Sequence, residues 1–143
     1  MACGLVFAAT GVAQDGGQWR AANEAAKSTT GDVYFSGQKV SINFSAFIIA
    51  EIRALKPEEA SGVFDVEPGS VGSGHLYRTM IPASKRFVRK NSLCGSEDTQ
   101  WMVTYSDGRS LHLAFFSGSD MPVLTAEGLA TATDLCGTFL YSR

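Results

Sequence analysis

Two matching cysteine–glycine steps constrain the fold of this chain more than any other feature. Leu93-Cys94-Gly95 precedes a strand-rich stretch, residues 99–116, and Leu135-Cys136-Gly137 follows it. We interpret Cys94 and Cys136 as one disulfide that ties this stretch to the last strand, because a cysteine pair in an exported chain favours a disulfide. The chain has no Cys-x-x-Cys, and neither histidine lies at ligand spacing from a cysteine, so the pattern indicates no metal site and no cofactor.

The stretch between the two steps predicts a β-hairpin, because residues 100–105 and 111–116 are rich in aromatic and β-branched side chains. A two-residue loop at Asp107-Gly108 would mix apolar and polar residues on both faces. A three-residue loop with Gly108 in the left-handed conformation separates the two kinds of residue. We therefore predict this second loop, with the cross-strand pairs Trp101–Leu113 and Val103–Leu111.

The N-terminal segment, residues 1–13, is apolar and uncharged. It ends in Gly11-Val12-Ala13, a small-x-small pattern before a polar stretch, which predicts a secretory signal peptide and a mature protein that begins near Gln14. The alternative is a buried N-terminal strand or helix, and Cys3 leaves lipid attachment as a side alternative. The segment is too short for a transmembrane helix. We expect a periplasmic or secreted protein with one domain, residues 14–143.

Alternating polarity predicts most of the remaining structure as short strands. These strands are residues 33–35, 40–44, 63–66, 75–81, 84–90 and 137–141. The glycine-first loop Gly37-Gln38 predicts a hairpin that pairs Phe35 with Val40 and Val33 with Ile42. Residues 45–55 fit a helix or a long strand, and we favour the strand because its neighbours are strands.

Two segments predict short helices, and two others predict loops. Residues 18–28 are rich in alanine and would place Trp19 as a core anchor, whereas Thr125 would cap a second helix. A break is predicted at residues 56–59 and a glycine-rich connector at residues 67–74. Counting about eight strands, we predict a mainly β domain, a small antiparallel barrel or sandwich with one or two short helices and one disulfide.

The charge and the histidines argue against several functions. The net charge of −2 indicates no general attraction to nucleic acid. His75 and His112 are the two histidines, no Gly-x-Ser-x-Gly motif is present, and Ser110 lies about 7 Å from His112 along a strand, too far for a hydrogen bond. We therefore expect no catalytic residue. Four cations of the predicted edge strand 84–90 form a possible surface for an anionic partner, namely Lys85, Arg86, Arg89 and Lys90.

Parts of the chain resemble known groups of proteins. The segment from Trp19 to Thr30-Gly31-Asp32, the step Leu93-Cys94-Gly95 and the ending Cys136-Gly137-Thr138-Phe139-Leu140-Tyr141 resemble a group of uncharacterised small exported proteins of proteobacteria, from which no activity carries over. Asp107-Gly108-Arg109-Ser110 with Ala114-Phe115-Phe116-Ser117 is similar to a hairpin of periplasmic metalloprotease inhibitors, which are small barrels with one disulfide.

These observations favour an exported non-enzymatic binding protein of unknown specificity, such as a protein-binding or inhibitor module. One alternative is a carrier of a small apolar ligand inside a barrel, and a second is a hydrolase. A large apolar cavity would favour the carrier, whereas a filled core with an exposed aromatic patch would favour the protein binder. The large aromatic residues predicted to lie in the core are Phe35, Phe44, Trp101, Phe115 and Phe139.

Overall fold

The computed structural model describes residues 16–143, which form a closed barrel of eight antiparallel strands. Each strand pairs with its neighbours in the chain, and the first strand also pairs with the last, which closes the sheet and excludes a sandwich. The strands are β1 Gly17–Ala21, β2 Val33–Ser36, β3 Lys39–Ile42, β4 Ser45–Ala54, β5 Ser73–Ile81, β6 Thr99–Ser106, β7 Ser110–Phe116 and β8 Leu135–Ser142.

Three short helices accompany the barrel, one more than the sequence predicted. They are α1 Glu24–Thr29, α2 Pro57–Phe64 and α3 Ala126–Ala130, and a single 3-10 turn spans Val88–Lys90. Each α-helix starts at a recognisable signal. The side chain of Asn23 accepts a hydrogen bond at the start of α1, Thr125 does the same for α3, and Pro57 occupies the first position of α2.

The barrel interior is filled by large apolar side chains contributed by all eight strands. Inward-facing residues alternate with outward-facing ones along each strand, as the pleat of a sheet requires. The largest side chains that are fully buried inside the barrel belong to Trp19, Ile42, Met102, Leu111, Leu113, Phe115 and Tyr141. A small eight-stranded barrel has an interior just wide enough for such side chains.

A second apolar layer lies outside the barrel, over strands β5 to β7. Here α2 and α3 cover the outward-facing residues, and the two helices touch, since a Cβ atom at Gly62 would lie 3.0 Å from the backbone nitrogen of Ala126. The fully or nearly buried members of this layer are Leu76, Trp101, Val103, Ala114, Phe116 and Leu124. Both faces of the β6–β7 hairpin are therefore buried.

The register of the β6–β7 hairpin differs from the prediction. Trp101 pairs with Phe116 and Val103 with Ala114, not with Leu113 and Leu111. The predicted register assumed that the hairpin has one apolar and one polar face. This assumption was wrong, because helices cover the outer face and it is as apolar as the inner one. The prediction of a left-handed Gly108 is confirmed, with φ +94°.

The predicted disulfide is confirmed. Cys94 and Cys136 are bonded, with Cα atoms 5.0 Å apart and a separation of 42 positions in sequence. The bond joins the loop before β6 to the second residue of β8. It therefore ties the hairpin to the last strand.

Three element predictions were wrong. Residues 18–21, predicted as the start of a helix, belong to strand β1, and the helix begins only at Glu24. Residues 63–64, predicted as part of a strand, end α2, which begins inside the predicted break. Residues 84–90, predicted as an edge strand, form an irregular loop with a 3-10 turn. Trp19, Trp101 and the other predicted core aromatics are buried, but Phe44 is fully exposed.

Several finer predictions are confirmed. The β2–β3 hairpin has the expected register, with Phe35 opposite Val40 and Val33 opposite Ile42. Residues 45–54 form one long strand, as favoured over a helix. The predicted signal peptide, its cleavage site and Cys3 lie outside the described residues. No helix in residues 16–143 is long and apolar enough to cross a membrane.

Candidate functional site

The two ends of the barrel differ in chemistry. One end, which we call the His75 end, contains the start of β5 and the β6–β7 turn. The other, which we call the Phe44 end, contains the β3–β4 turn, helix α1 and the disulfide. The candidate polar side chains lie at the His75 end, and the most exposed aromatic side chain lies at the Phe44 end.

At the His75 end, a histidine and a carboxylate face the barrel interior. The ring nitrogen Nδ1 of His75 lies 2.8 Å from a carboxylate oxygen of Glu51 on the adjacent strand. The other ring nitrogen, Nε2, is buried and has no hydrogen-bond partner among the described residues. Thr104 lies opposite His75 in the register, yet no hydroxyl reaches Nε2. A hydrolytic triad needs a nucleophile at this nitrogen.

His112 lies on the other face of the sheet, away from His75. Its ring packs 5.2 Å from that of Phe64 and 6.1 Å from that of Tyr105, measured between centroids. Burial lowers the pKa of His112, and the nearby charge of Asp107 opposes this shift only in part. The ring borders a groove of about 320 Å³ with Asp65, and the two histidines are not brought together. Nowhere in residues 16–143 do three His, Cys, Asp or Glu side chains meet as potential metal ligands.

The outer face of strands β2 to β4 is the most exposed apolar part of the barrel wall. Tyr34 and Ile48 point outwards from β2 and β4, and the side chain of Phe44 in the β3–β4 turn is completely exposed, with a relative accessibility of 101%. Met80 continues this surface on β5. In contrast to the wall over β5 to β7, this face keeps its large apolar side chains exposed, and none of the helices in residues 16–143 covers them.

A groove lies beside Phe44, and we call it the Phe44 groove. Its volume is about 480 Å³, and it runs along the outside of β1 to β3. Polar residues line it together with Tyr34 and Phe44, so it offers hydrogen-bonding groups next to aromatic rings. The lining residues are Gln18, Asp32, Val33, Tyr34, Ser41, Asn43 and Phe44.

The backbone at Phe44 is unusual. Asn43 and Phe44 both adopt the left-handed conformation, with φ +49° and +72°. Asparagine tolerates this region, but a bulky aromatic residue there is an outlier that costs free energy. The conformation projects the ring of Phe44 into solvent instead of into the core. No sequence signal distinguished Phe44 from the buried aromatics, because it continues the alternating pattern of β3.

The four predicted cations lie in the loop between β5 and β6, at the Phe44 end of the barrel. We call the segment that carries them, residues 85–90, the basic turn. Arg86, Arg89 and Lys90 are exposed, and Lys85 is partly exposed. The structure therefore keeps together the residues that the sequence grouped, although in a loop and not in a strand.

Comparison of the chain with protein-family models, with curated proteins and with solved structures found no match in any of the three. The resemblances to exported proteobacterial proteins and to metalloprotease inhibitors thus stay predictions.

Proposed function

We propose that this protein is a non-enzymatic binding module that holds an extended segment of a partner protein in the Phe44 groove. The segment would place an apolar side chain against the rings of Tyr34 and Phe44 and would exchange hydrogen bonds with the polar lining. The complete exposure of Phe44 is the observation that carries this proposal.

The energetics of Phe44 support a binding role. Burying a phenylalanine side chain stabilises a protein by about 1.5–3 kcal/mol relative to leaving it exposed. At Phe44 this gain is absent and the left-handed backbone adds a further cost. Residues held in such conformations cluster at binding and switch regions. An exposed aromatic next to a concave surface is also the typical anchor of a protein interface.

The packing of the interior supports a protein binder over a carrier. Side chains as large as Trp19, Phe115 and Tyr141 occupy the space that a ligand would need inside the barrel. The arrangement around His75 supports a non-enzymatic role over a hydrolase, since its buried nitrogen faces no nucleophile in the described part of the chain.

The disulfide supports an exported setting, periplasmic or secreted. Disulfides persist in oxidising compartments and are rare in the reducing cytosol. An exported binding module is also what the sequence favours.

The test uses a phage-displayed library of random peptides, selected on the folded protein. We expect enriched peptides to carry a large apolar residue and to shift the NMR signals of Tyr34, Ser41 and Asn43. Phe44→Ala should weaken their binding by about tenfold or more, since an interface anchor typically contributes at least 1.4 kcal/mol.

The matched control is Val123→Ala, which truncates another exposed apolar residue in the loop before α3, far along the chain from the groove. It should leave peptide affinity unchanged. Peptides that bind equally well to Phe44→Ala, or that shift only signals elsewhere, would contradict the proposed site. Failure of the selection to enrich any groove-binding peptide would contradict the proposed function.

A further inference from the structure

The basic turn concentrates positive charge that no ion pair within residues 16–143 neutralises. None of its four cations takes part in an ion pair within residues 16–143, where the ion pair between a permanently charged base and an acid is Arg53–Glu59. The guanidinium of Arg86 donates to the carbonyl oxygens of Ala83 and Lys85, at 2.7 and 3.1 Å. These bonds hold the side chain in place but leave its charge unpaired.

Two acids, Glu97 and Asp98, follow the basic turn in sequence, and the second is engaged with the backbone. A carboxylate oxygen of Asp98 accepts a hydrogen bond from the backbone N–H of Ala83, at 2.8 Å. The side chain thereby fixes the start of the loop. The exposed cations of the basic turn thus form no ion pair with an acid of the described part of the protein, and they can bind an anionic partner.

The basic turn is held rigidly although it has no regular structure. Its backbone closes through hydrogen bonds from Phe87 N–H to the Asn91 carbonyl (2.8 Å) and from Asn91 N–H to the Val88 carbonyl (3.0 Å). The amide of Asn91 also donates to the carbonyl of Ser28 in α1, at 2.7 Å. Phe87 is buried against Phe47, with ring centroids 6.0 Å apart. A fixed scaffold lowers the entropy lost when charged side chains bind a partner.

The conformation of the turn parallels that of the Phe44 turn. Arg89 and Lys90 are consecutive left-handed residues, with φ +56° and +62°, as are Asn43 and Phe44. Four of the five left-handed residues other than glycine in residues 16–143 thus belong to these two turns, the fifth being Asp65. Strain concentrated in two exposed turns is typical of a binding surface.

The two turns flank one surface. Val88, which precedes Arg89, packs closely on Gly31. A Cβ atom built on Gly31 would lie 3.1 Å from the side chain of Val88. Asp32, which follows Gly31 in the sequence, lines the Phe44 groove. Its carboxylate accepts a hydrogen bond from the N–H of Ala21, at 2.9 Å. The basic turn therefore adjoins the wall of the groove at the Phe44 end of the barrel.

We propose that the basic turn binds the carboxylates of an acidic partner segment whose apolar anchor occupies the Phe44 groove. This inference rests on the proposed function and names the chemistry of the partner: an extended peptide with an apolar residue followed or preceded by aspartates and glutamates. Arginine and lysine pair with carboxylates through charge-assisted hydrogen bonds, and Arg89 offers the planar fork that suits them.

The shape of the site favours a peptide over an anionic bilayer. A flat bilayer cannot fill a concave groove of about 480 Å³, whereas a peptide side chain can. The overall charge of −2 also weakens attraction to an extended anionic surface. The positive charge is confined to the basic turn, and a charged patch of this size suits a short acidic segment.

The experiment measures the affinity of one selected groove-binding peptide with flanking Asp and Glu and of its Asn/Gln counterpart. We expect the acidic peptide to bind about tenfold or more tightly, and this advantage to vanish near 1 M salt, where the Debye length is about 3 Å. Arg89→Asn with Lys90→Asn should remove the advantage and leave the affinity of the neutral peptide unchanged. Asparagine keeps the left-handed backbone, so the turn should be preserved.

Two matched controls accompany this variant. Arg89→Lys with Lys90→Arg retains the charge and should retain at least most of the advantage. Arg109→Asn removes an exposed cation at the opposite end of the barrel and should have no effect. Circular dichroism of each variant checks that the fold is intact.

The outcomes separate the two proposals. If selected peptides bind the groove but acidic and neutral forms bind equally, or the Asn variant keeps the preference, the acidic-partner inference is wrong and the proposed function stands. If no peptide binds the groove, both are wrong. Vesicles containing phosphatidylglycerol provide a third arm, and binding to them that requires Arg89 and Lys90, without any peptide preference, would replace the inference by a membrane surface.

Discussion

Gly108 shows how one residue determines the β6–β7 turn. Its φ of +94° lies in the region that side chains rarely adopt, and a Cβ atom there would meet nothing within 4 Å. The neighbouring Asp107 completes the turn, because one of its carboxylate oxygens accepts the N–H groups of Arg109 and Ser110 at 2.9 and 2.8 Å. These two backbone hydrogen bonds hold the pKa of Asp107 below its ordinary value.

Replacing Gly108 with valine should therefore destabilise the fold through the backbone alone. We expect Gly108→Val to lower the free energy of unfolding by about 1–2 kcal/mol, because a β-branched residue resists positive φ. The measurement is urea unfolding followed by circular dichroism. Gly69→Val is the matched control, since Gly69 also has open space but no positive φ. Equal losses in both variants would contradict this role of Gly108.

His112 should make the fold sensitive to mild acid. Burial beside Phe64 and Tyr105 lowers its pKa below 6.5, so the unfolded chain takes up a proton more readily than the folded one. The contribution is fully favourable above pH of about 6.5, and it is lost as the pH falls from there through the lower pKa of the folded state.

We expect the free energy of unfolding to drop between pH of about 7.5 and 5.5, and to drop less in His112→Gln. Urea unfolding at both pH values measures this difference. His75 is present in both proteins, so its contribution cancels in the comparison. An identical loss in the two proteins would show that His112 does not carry the effect.

At the scale of elements, the disulfide joins two segments that lie far apart in the sequence. Cys136 belongs to β8, whereas Cys94 lies in the loop before β6, and the hydroxyl of Thr99 donates to the Cys94 sulfur at 3.1 Å. The same region carries Leu93, which packs into the barrel core. The covalent link thus anchors the loop that closes the Phe44 end.

Removing this link should weaken the fold mainly through the entropy of the unfolded chain. A bond that spans 42 residues corresponds to about 4 kcal/mol in the chain-entropy model. We expect Cys94→Ala with Cys136→Ala to lower the free energy of unfolding by up to that amount. A thiol titration of the denatured native protein should detect Cys94 and Cys136 only after reduction. Reactive thiols at both positions without reductant would refute the bond.

At the scale of the whole molecule, the barrel is covered unevenly. Helices α2 and α3 bury the outside of β5 to β7, so Trp101 and Phe116 lie in an outer core. On the outside of β2 to β4 no helix of the described part of the chain provides such cover, and Tyr34, Phe44 and Ile48 are exposed there. The histidines lie nearer the opposite end. The bare wall, the groove and the basic turn therefore form the surface on which our functional proposals depend.

The local pattern of residues was sufficient to predict much of this architecture. Period-two alternation predicted β8, the neighbouring strands favoured a strand at β4, Gly37-Gln38 predicted the register of the β2–β3 hairpin, and the cysteine count in a chain expected to be exported predicted the disulfide. These features depend on contacts within a strand, across a tight turn or between the two cysteines that follow the predicted signal peptide. The sequence alone therefore determined a mainly β fold, either a barrel or a sandwich. It also identified the four cations that the structure places in the basic turn.

Contacts between distant segments decided the rest. The register of β6–β7 depends on helices that bury its outer face, which no alternation within the hairpin reveals. Residues 17–21 become a strand because β2 and β8 bond to them, which overrides the helical preference of alanine. Phe44 follows the same alternation as the buried aromatics, and only the tertiary structure turns it outwards, because the left-handed turn after β3 points its ring away from the barrel.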